Sequence, residues 1–126
     1  MKFTRVVYGI AAVYGVIVLV PLYFLIDRIG HDVPPPVSHP EFYYGFVGVA
    51  LLWQLVFLMI AIDPRRYRPI IPLTILEKVV YTLPVVILYS RGQVSRSVLG
   101  PSLVDPVFGI LFLAVYVRTR TFSRTN

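Results

Sequence analysis

Four long stretches of the chain are apolar almost without interruption, and the polar residues gather between them. Val6–Ile26 and Phe42–Ile62 are each about 20 residues, enough at roughly 1.5 Å per residue to cross a hydrocarbon layer about 30 Å thick. Gln54 alone interrupts the second. A third run, Ile70–Tyr89, has Glu77 and Lys78 inside it, and a fourth begins between Val98 and Leu103 and continues to Val117. The pattern predicts spans at about 6–26, 42–62, 70–89 and 98–117. The expected fold is all-α: a single polytopic membrane domain, a four-transmembrane-helix antiparallel bundle whose solvent is the lipid bilayer.

The links differ in character. Asp27–Glu41 contains Val33-Pro34-Pro35-Pro36-Val37, which predicts a stiff polyproline arm. Asp63–Pro69 is short, so spans two and three are expected to be antiparallel neighbours. Within it, Asp63-Pro64 suits the start of a brief helical turn, with proline where no N–H is needed. The first run follows Lys2 and Arg5 as a secretory leader would. It outlasts the usual apolar core of about 7–15 residues and ends in Leu25-Ile26-Asp27-Arg28 instead of a small-residue cleavage site, which reads as a retained signal anchor.

Composition strengthens the membrane reading: 57% of 126 residues are hydrophobic and 14% charged, too little polar surface to cover a soluble globule. The net charge of +6 is a matter of topology. Lys2, Arg5, Arg65, Arg66, Arg68, Arg118, Arg120 and Arg124 fall on one side of a four-span arrangement, and Arg28, Arg91 and Arg96 on the other. That bias predicts both termini in the cytoplasm, and it leaves no reason to invoke nucleic acid. Cysteine is absent, which excludes thiol-dependent redox chemistry, thiolate metal sites and iron–sulfur clusters.

Ionisable residues inside the spans are the candidates for chemistry, because an unpartnered charge there is costly. Glu77 lies about 10 Å inside its span, and Thr74, Glu77 and Tyr81 share a face at helical spacing. Tyr14 and Gln54 come to similar depths, about 13 Å, from their own ends. These residues form either a hydrogen-bonded layer that fixes packing or a site for a ligand, ion or proton. Lys78, adjacent to Glu77 but about 100° round the helix, is expected to snorkel toward the Arg65–Arg68 link; the alternative is an interior ion pair with another helix. Asp105 is expected to close a capping box, Ser102-Leu103-Val104-Asp105, at the start of span four; the alternative is a buried acid on a helix that begins near Val98.

Pro21, Pro84 and Pro106 predict kinks in the outer halves of three spans, and Ala11 with Gly15 and Gly45 with Gly48 predict close helix approach. Both histidines, His31 and His39, lie in the outer link, so no buried imidazole pair exists to hold a haem, and their spacing with Asp32 and Glu41 matches no metal-ligand pattern. No phosphate cradle, nucleophile elbow or metalloprotease helix is present. No cofactor is expected.

The stretch His39-Pro40-Glu41-Phe42-Tyr43-Tyr44-Gly45-Phe46-Val47-Gly48-Val49-Ala50, continuing through Trp53-Gln54, Asp63–Pro69 and Leu76-Glu77-Lys78, resembles a pattern in small bacterial four-helix membrane proteins of the DoxX-like kind. It covers about half the chain. The resemblance implies a bacterial inner membrane and this topology, and it transfers no catalytic residue. Two functions are therefore expected to compete. One is an accessory subunit that packs into a homo-oligomer or a larger membrane complex. The other is a proton-linked carrier or lipophilic-ligand binder built on Glu77, Gln54, Tyr14 and Tyr81. Small multidrug carriers resemble the second class, but their acid lies in the first span, where this chain has none. An intramembrane isomerase would require an acid–base pair, for which only Glu77 and Asp105 are placed.

Overall fold

The computed structural model describes residues 2–120, and over these it is helical, without a strand. Four helices are long and apolar enough to cross a membrane: Lys2–Phe24, Pro40–Ile62, Pro64–Ser90 and Arg96–Arg118, here the first to fourth spans. Their mean hydropathy lies between 1.8 and 2.4, yet only 22–33% of each is buried inside the protein. Most of four apolar surfaces thus faces outward, as a helix in hydrocarbon requires and a helix in water does not tolerate. Arg124, counted above among the inner-side charges, lies outside the described residues.

The first span packs chiefly on the second and the third on the fourth, and the first and fourth also meet. Spans two and three, expected to be neighbours because their link is short, touch each other little. The link has structure of its own, a helical turn Pro64–Tyr67 and a 3-10 turn Arg68–Ile70, which separates the helices it joins. Asp63 opens that turn as its chemistry suggests, its carboxylate accepting the Arg66 N–H at 3.4 Å with Pro64 at the first helical position.

The core lies near the end of the molecule that carries the first span's start and the fourth span's finish. Tyr8 stacks on Phe112 with ring centroids 4.2 Å apart, and Phe57 closes edge-on against both. The Tyr8 hydroxyl donates to Thr74 Oγ1 at 2.9 Å, since Thr74 directs its own hydrogen to the Ile71 carbonyl. Below this cluster Arg68 is buried. Its Nε donates to Thr119 Oγ1 at 3.1 Å, its Nη2 to the Tyr116 carbonyl at 2.8 Å, and its guanidinium lies 4.1 Å from the Tyr116 ring centre. A residue counted in the sequence only as a loop charge therefore clamps the start of the third span to the end of the fourth.

The prolines act locally. The first span tightens into a 3-10 turn over Val20–Phe24 around Pro21. The fourth is interrupted at Leu103, between helical segments Arg96–Ser102 and Val104–Arg118. Pro106 has no N–H to give to the carbonyl four residues back, that of Ser102. The Thr82 hydroxyl of the third span takes its place, donating to the Ser102 carbonyl at 3.1 Å and to the Lys78 carbonyl at the same distance. A backbone group freed in an apolar setting is thus satisfied by a neighbouring helix.

The link between the first and second spans carries a short helix, Ile26–Asp32, on which Gly30 meets the backbone of Pro36 closely enough to leave no room for a side chain. Residues 33–39 are irregular, and the Pro34–Pro35 peptide is cis. Tyr43 ties the second span to the first, donating to the Leu22 carbonyl at 2.6 Å.

Candidate functional site

Between the aromatic core and the opposite end of the bundle is a chamber of about 270 Å³. Tyr14 and Gly15 come from the first span, Phe46, Ala50 and Gln54 from the second, Glu77, Lys78 and Tyr81 from the third, and Ser102 and Asp105 from the fourth. All the residues singled out from the sequence meet here except Thr74, which points instead at Tyr8 in the core.

At the centre is Lys78. Its Nζ lies 3.5 Å from Glu77 Oε2 and 3.6 Å from Asp105 Oδ1, and its side chain is 8% exposed against 16% and 25% for the two acids. The expected snorkelling is therefore corrected: Lys78 turns inward. The reason is visible in the third span, whose buried residues are Ile71, Thr74, Lys78, Thr82 and Val85, one helical stripe at three- and four-residue spacing. Lys78 occupies the middle of that inner stripe and Glu77 its flank. Gly109 faces Lys78 across the interface, where a Cβ would stand at an ordinary contact distance of 3.5 Å from the Lys78 Cβ. The Lys78 ammonium also lies 4.9 Å from the Phe57 ring centre and 5.7 Å from that of Phe108. Glu77 and Lys78, adjacent in sequence and not expected to pair, reach one another because both side chains bend into the same chamber.

Asp105 is likewise not a cap. The residue before its helical segment is Leu103, with no side-chain cap bond, and the Ser102 hydroxyl donates back to the Leu99 carbonyl at 2.6 Å. Because the fourth span already begins at Arg96, the capping box has no helix start to close, and Asp105 serves as the counter-charge to Lys78.

Gln54 is 3% exposed. Its Nε2 donates to the Ala50 carbonyl of its own helix at 2.8 Å, and its Oε1 has no hydrogen-bond partner among the described residues. Gly15 makes this placement possible, since a Cβ there would overlap the Gln54 amide. The aromatic walls pair across helices, Tyr14 with Phe108 at 5.5 Å and Phe46 with Tyr81 at 5.4 Å between ring centres.

Little else gathers chemistry. Around the link between the first and second spans His31 Nδ1 lies 3.3 Å from Asp32 Oδ1 and His39 Nδ1 3.1 Å from Glu41 Oε1, as two separate exposed pairs. No group of three potential metal ligands occurs among the described residues. A second groove of about 390 Å³ lies between the third and fourth spans, lined by Lys78, Thr82 and Gly109 amid aliphatic side chains.

Two of these features were within reach of the sequence. The stripe Ile71, Thr74, Lys78, Thr82 and Val85 marks Lys78 as the inward residue, and the four-residue step from Ser102 to Pro106 marks a carbonyl in need of a donor. Compared with family models, with curated proteins and with solved structures, the chain matches none.

Proposed function

We propose that the protein binds a small lipophilic ligand inside the bilayer, with Glu77, Lys78 and Asp105 as the polar anchor of the chamber. The observation that carries this reading is the orphaned Gln54 Oε1 beside two carboxylates that share one ammonium. Charges within a span are costly, and a bundle held only by packing has no use for three of them around an open space. Tyr14, Phe46 and Tyr81 supply aromatic surface for the apolar part of the ligand.

The proposal places the chain as an antiparallel four-helix bundle in a bacterial inner membrane, with both termini cytoplasmic, and retains the DoxX-like relationship. Helix order supports it. The core joins Tyr8, near the start of the first span, to Phe57 late in the second, Thr74 early in the third and Phe112 late in the fourth. The distribution of lysine and arginine supports the sidedness.

Purified in mild uncharged detergent, the protein is expected to shift its thermal unfolding on addition of small apolar amphiphiles. Ala50→Phe, which fills the chamber without altering charge, should abolish the shift. Co-purification with a stoichiometric protein partner and indifference to every amphiphile would favour the accessory-subunit reading instead. Since the chain has no cysteine, single cysteines at Ser38, Arg66 and Ser95 provide a clean labelling test of topology, with Arg66 expected on the inner side and the two serines outside.

A further inference from the structure

The chamber is unbalanced in charge and in hydrogen-bonding capacity. Its titratable groups are the carboxyls of Glu77 and Asp105 and the single amine of Lys78, so one ammonium balances one carboxylate and the second acid calls for a proton or a cation. Its hydrogen-bonding excess has the same sense. Gln54 Oε1, on a side chain 97% buried (3% exposed), has no partner, and Glu77 Oε2 has the ion pair with Lys78 but no hydrogen bond. The Ser102 hydroxyl is already engaged with the Leu99 carbonyl, so the donors left to the chamber are Lys78, the second N–H of the Gln54 amide and the hydroxyls of Tyr14 and Tyr81. An occupant that offers N–H groups and one positive charge corrects both imbalances, whereas a neutral one leaves the charge and an anion adds to it. The aromatic rings of Tyr14, Phe46 and Tyr81 in its lining are compatible with a cation as well.

On the ligand-binding reading above, on which this rests, we propose that the occupant is a lipophilic ammonium ion. Its N–H groups meet Gln54 Oε1 and the Glu77 and Asp105 carboxylates, and its hydrocarbon lies against Val18, Leu22 and Phe46. The charge preference cannot be a bulk effect, because a protein of net charge +6 repels cations from its surface.

The test titrates n-octylammonium, n-octanol and octanoate into the full-length protein in uncharged detergent, with binding followed by calorimetry and by the fluorescence of the single tryptophan, Trp53. Octylammonium is expected to bind at least tenfold tighter than octanol, and octanoate weaker than either. Glu77→Gln and Asp105→Asn should each reduce the preference for octylammonium over octanol tenfold or more. Should one carboxamide variant fail to fold, the other reports on the same surplus charge from a different helix. Equal binding of octanol and octylammonium to the native protein overturns the ammonium assignment and leaves ligand binding intact. An ammonium preference that survives a folded carboxamide variant overturns it too, by locating the selectivity elsewhere. Failure of all three probes, or binding that persists in Ala50→Phe, overturns the ligand-binding reading itself.

Discussion

Replacing Lys78 by methionine keeps most of the apolar stem of the side chain and removes the ammonium with its charge and donors, so the variant reports on what that group does. At an effective dielectric constant of about 20, unit charges 3.5 Å apart attract by about 5 kcal/mol. Lys78 stands at 3.5 and 3.6 Å from its two partners. Repulsion between the carboxylates and the cost of desolvating all three groups offset much of this gain. Leaving a buried charge without its partner costs about 3–5 kcal/mol in proteins generally. Because the two acids retain 16% and 25% exposure, the lower end applies, and Lys78→Met is expected to lose about 3 kcal/mol. That is more than a hundredfold in the unfolding equilibrium at about 1.4 kcal/mol per decade. A reversible denaturation in mixed micelles, followed by Trp53 fluorescence and far-ultraviolet circular dichroism, measures it. The triple variant Glu77→Gln, Lys78→Met, Asp105→Asn removes every charge and should return to within about 1 kcal/mol of the native protein, as neutral replacements of buried ion clusters do. A Lys78→Met protein within about 0.5 kcal/mol of native, or a triple variant weaker than the single one, would refute the reasoning.

Other contacts offer independent checks by the same denaturation assay. Thr82→Val should cost about 1 kcal/mol by leaving the Ser102 carbonyl without a donor, and adding Pro106→Ala, which restores an N–H four residues on, should recover most of the loss. Gly15→Ala should cost about 1–3 kcal/mol because its Cβ overlaps the Gln54 amide. Combined with Gln54→Ala it should cost less than the two changes added separately. Arg68→Lys should lose about 1–2 kcal/mol despite keeping the charge, since an ammonium cannot bond Thr119 and Tyr116 together while stacking on the Tyr116 ring.

The candidate chamber was half legible. Tyr14, Gln54, Glu77 and Tyr81 could be brought to one level by counting residues from the helix ends, because rise per residue is a local constant. Facing is harder to count. Thr74 shares Glu77's side by spacing alone, yet the Tyr8 hydroxyl draws it into the core. The sequence leaves Lys78 between the headgroups, since snorkelling is the cheapest fate of a lone lysine, and an ion pair with another helix. The structure supplies what made it not alone, an acid on another helix brought within 3.6 Å. For the matching reason the sequence leaves Asp105 between a cap and an acid inside the helix, as a four-residue signature for a helix start does not register that the helix begins earlier, at Arg96.

By itself, the sequence determined that this chain is helical and has four helices suited to hydrocarbon, because apolar run length against bilayer thickness is a property of the chain alone. Only the tertiary structure decided which helices pair, which residue completes the carbonyl freed by Pro106, and which way Lys78 faces. Each of those depends on partners distant in sequence. In a setting without water, a polar group's orientation follows from where its nearest partner stands, and no local pattern records that distance.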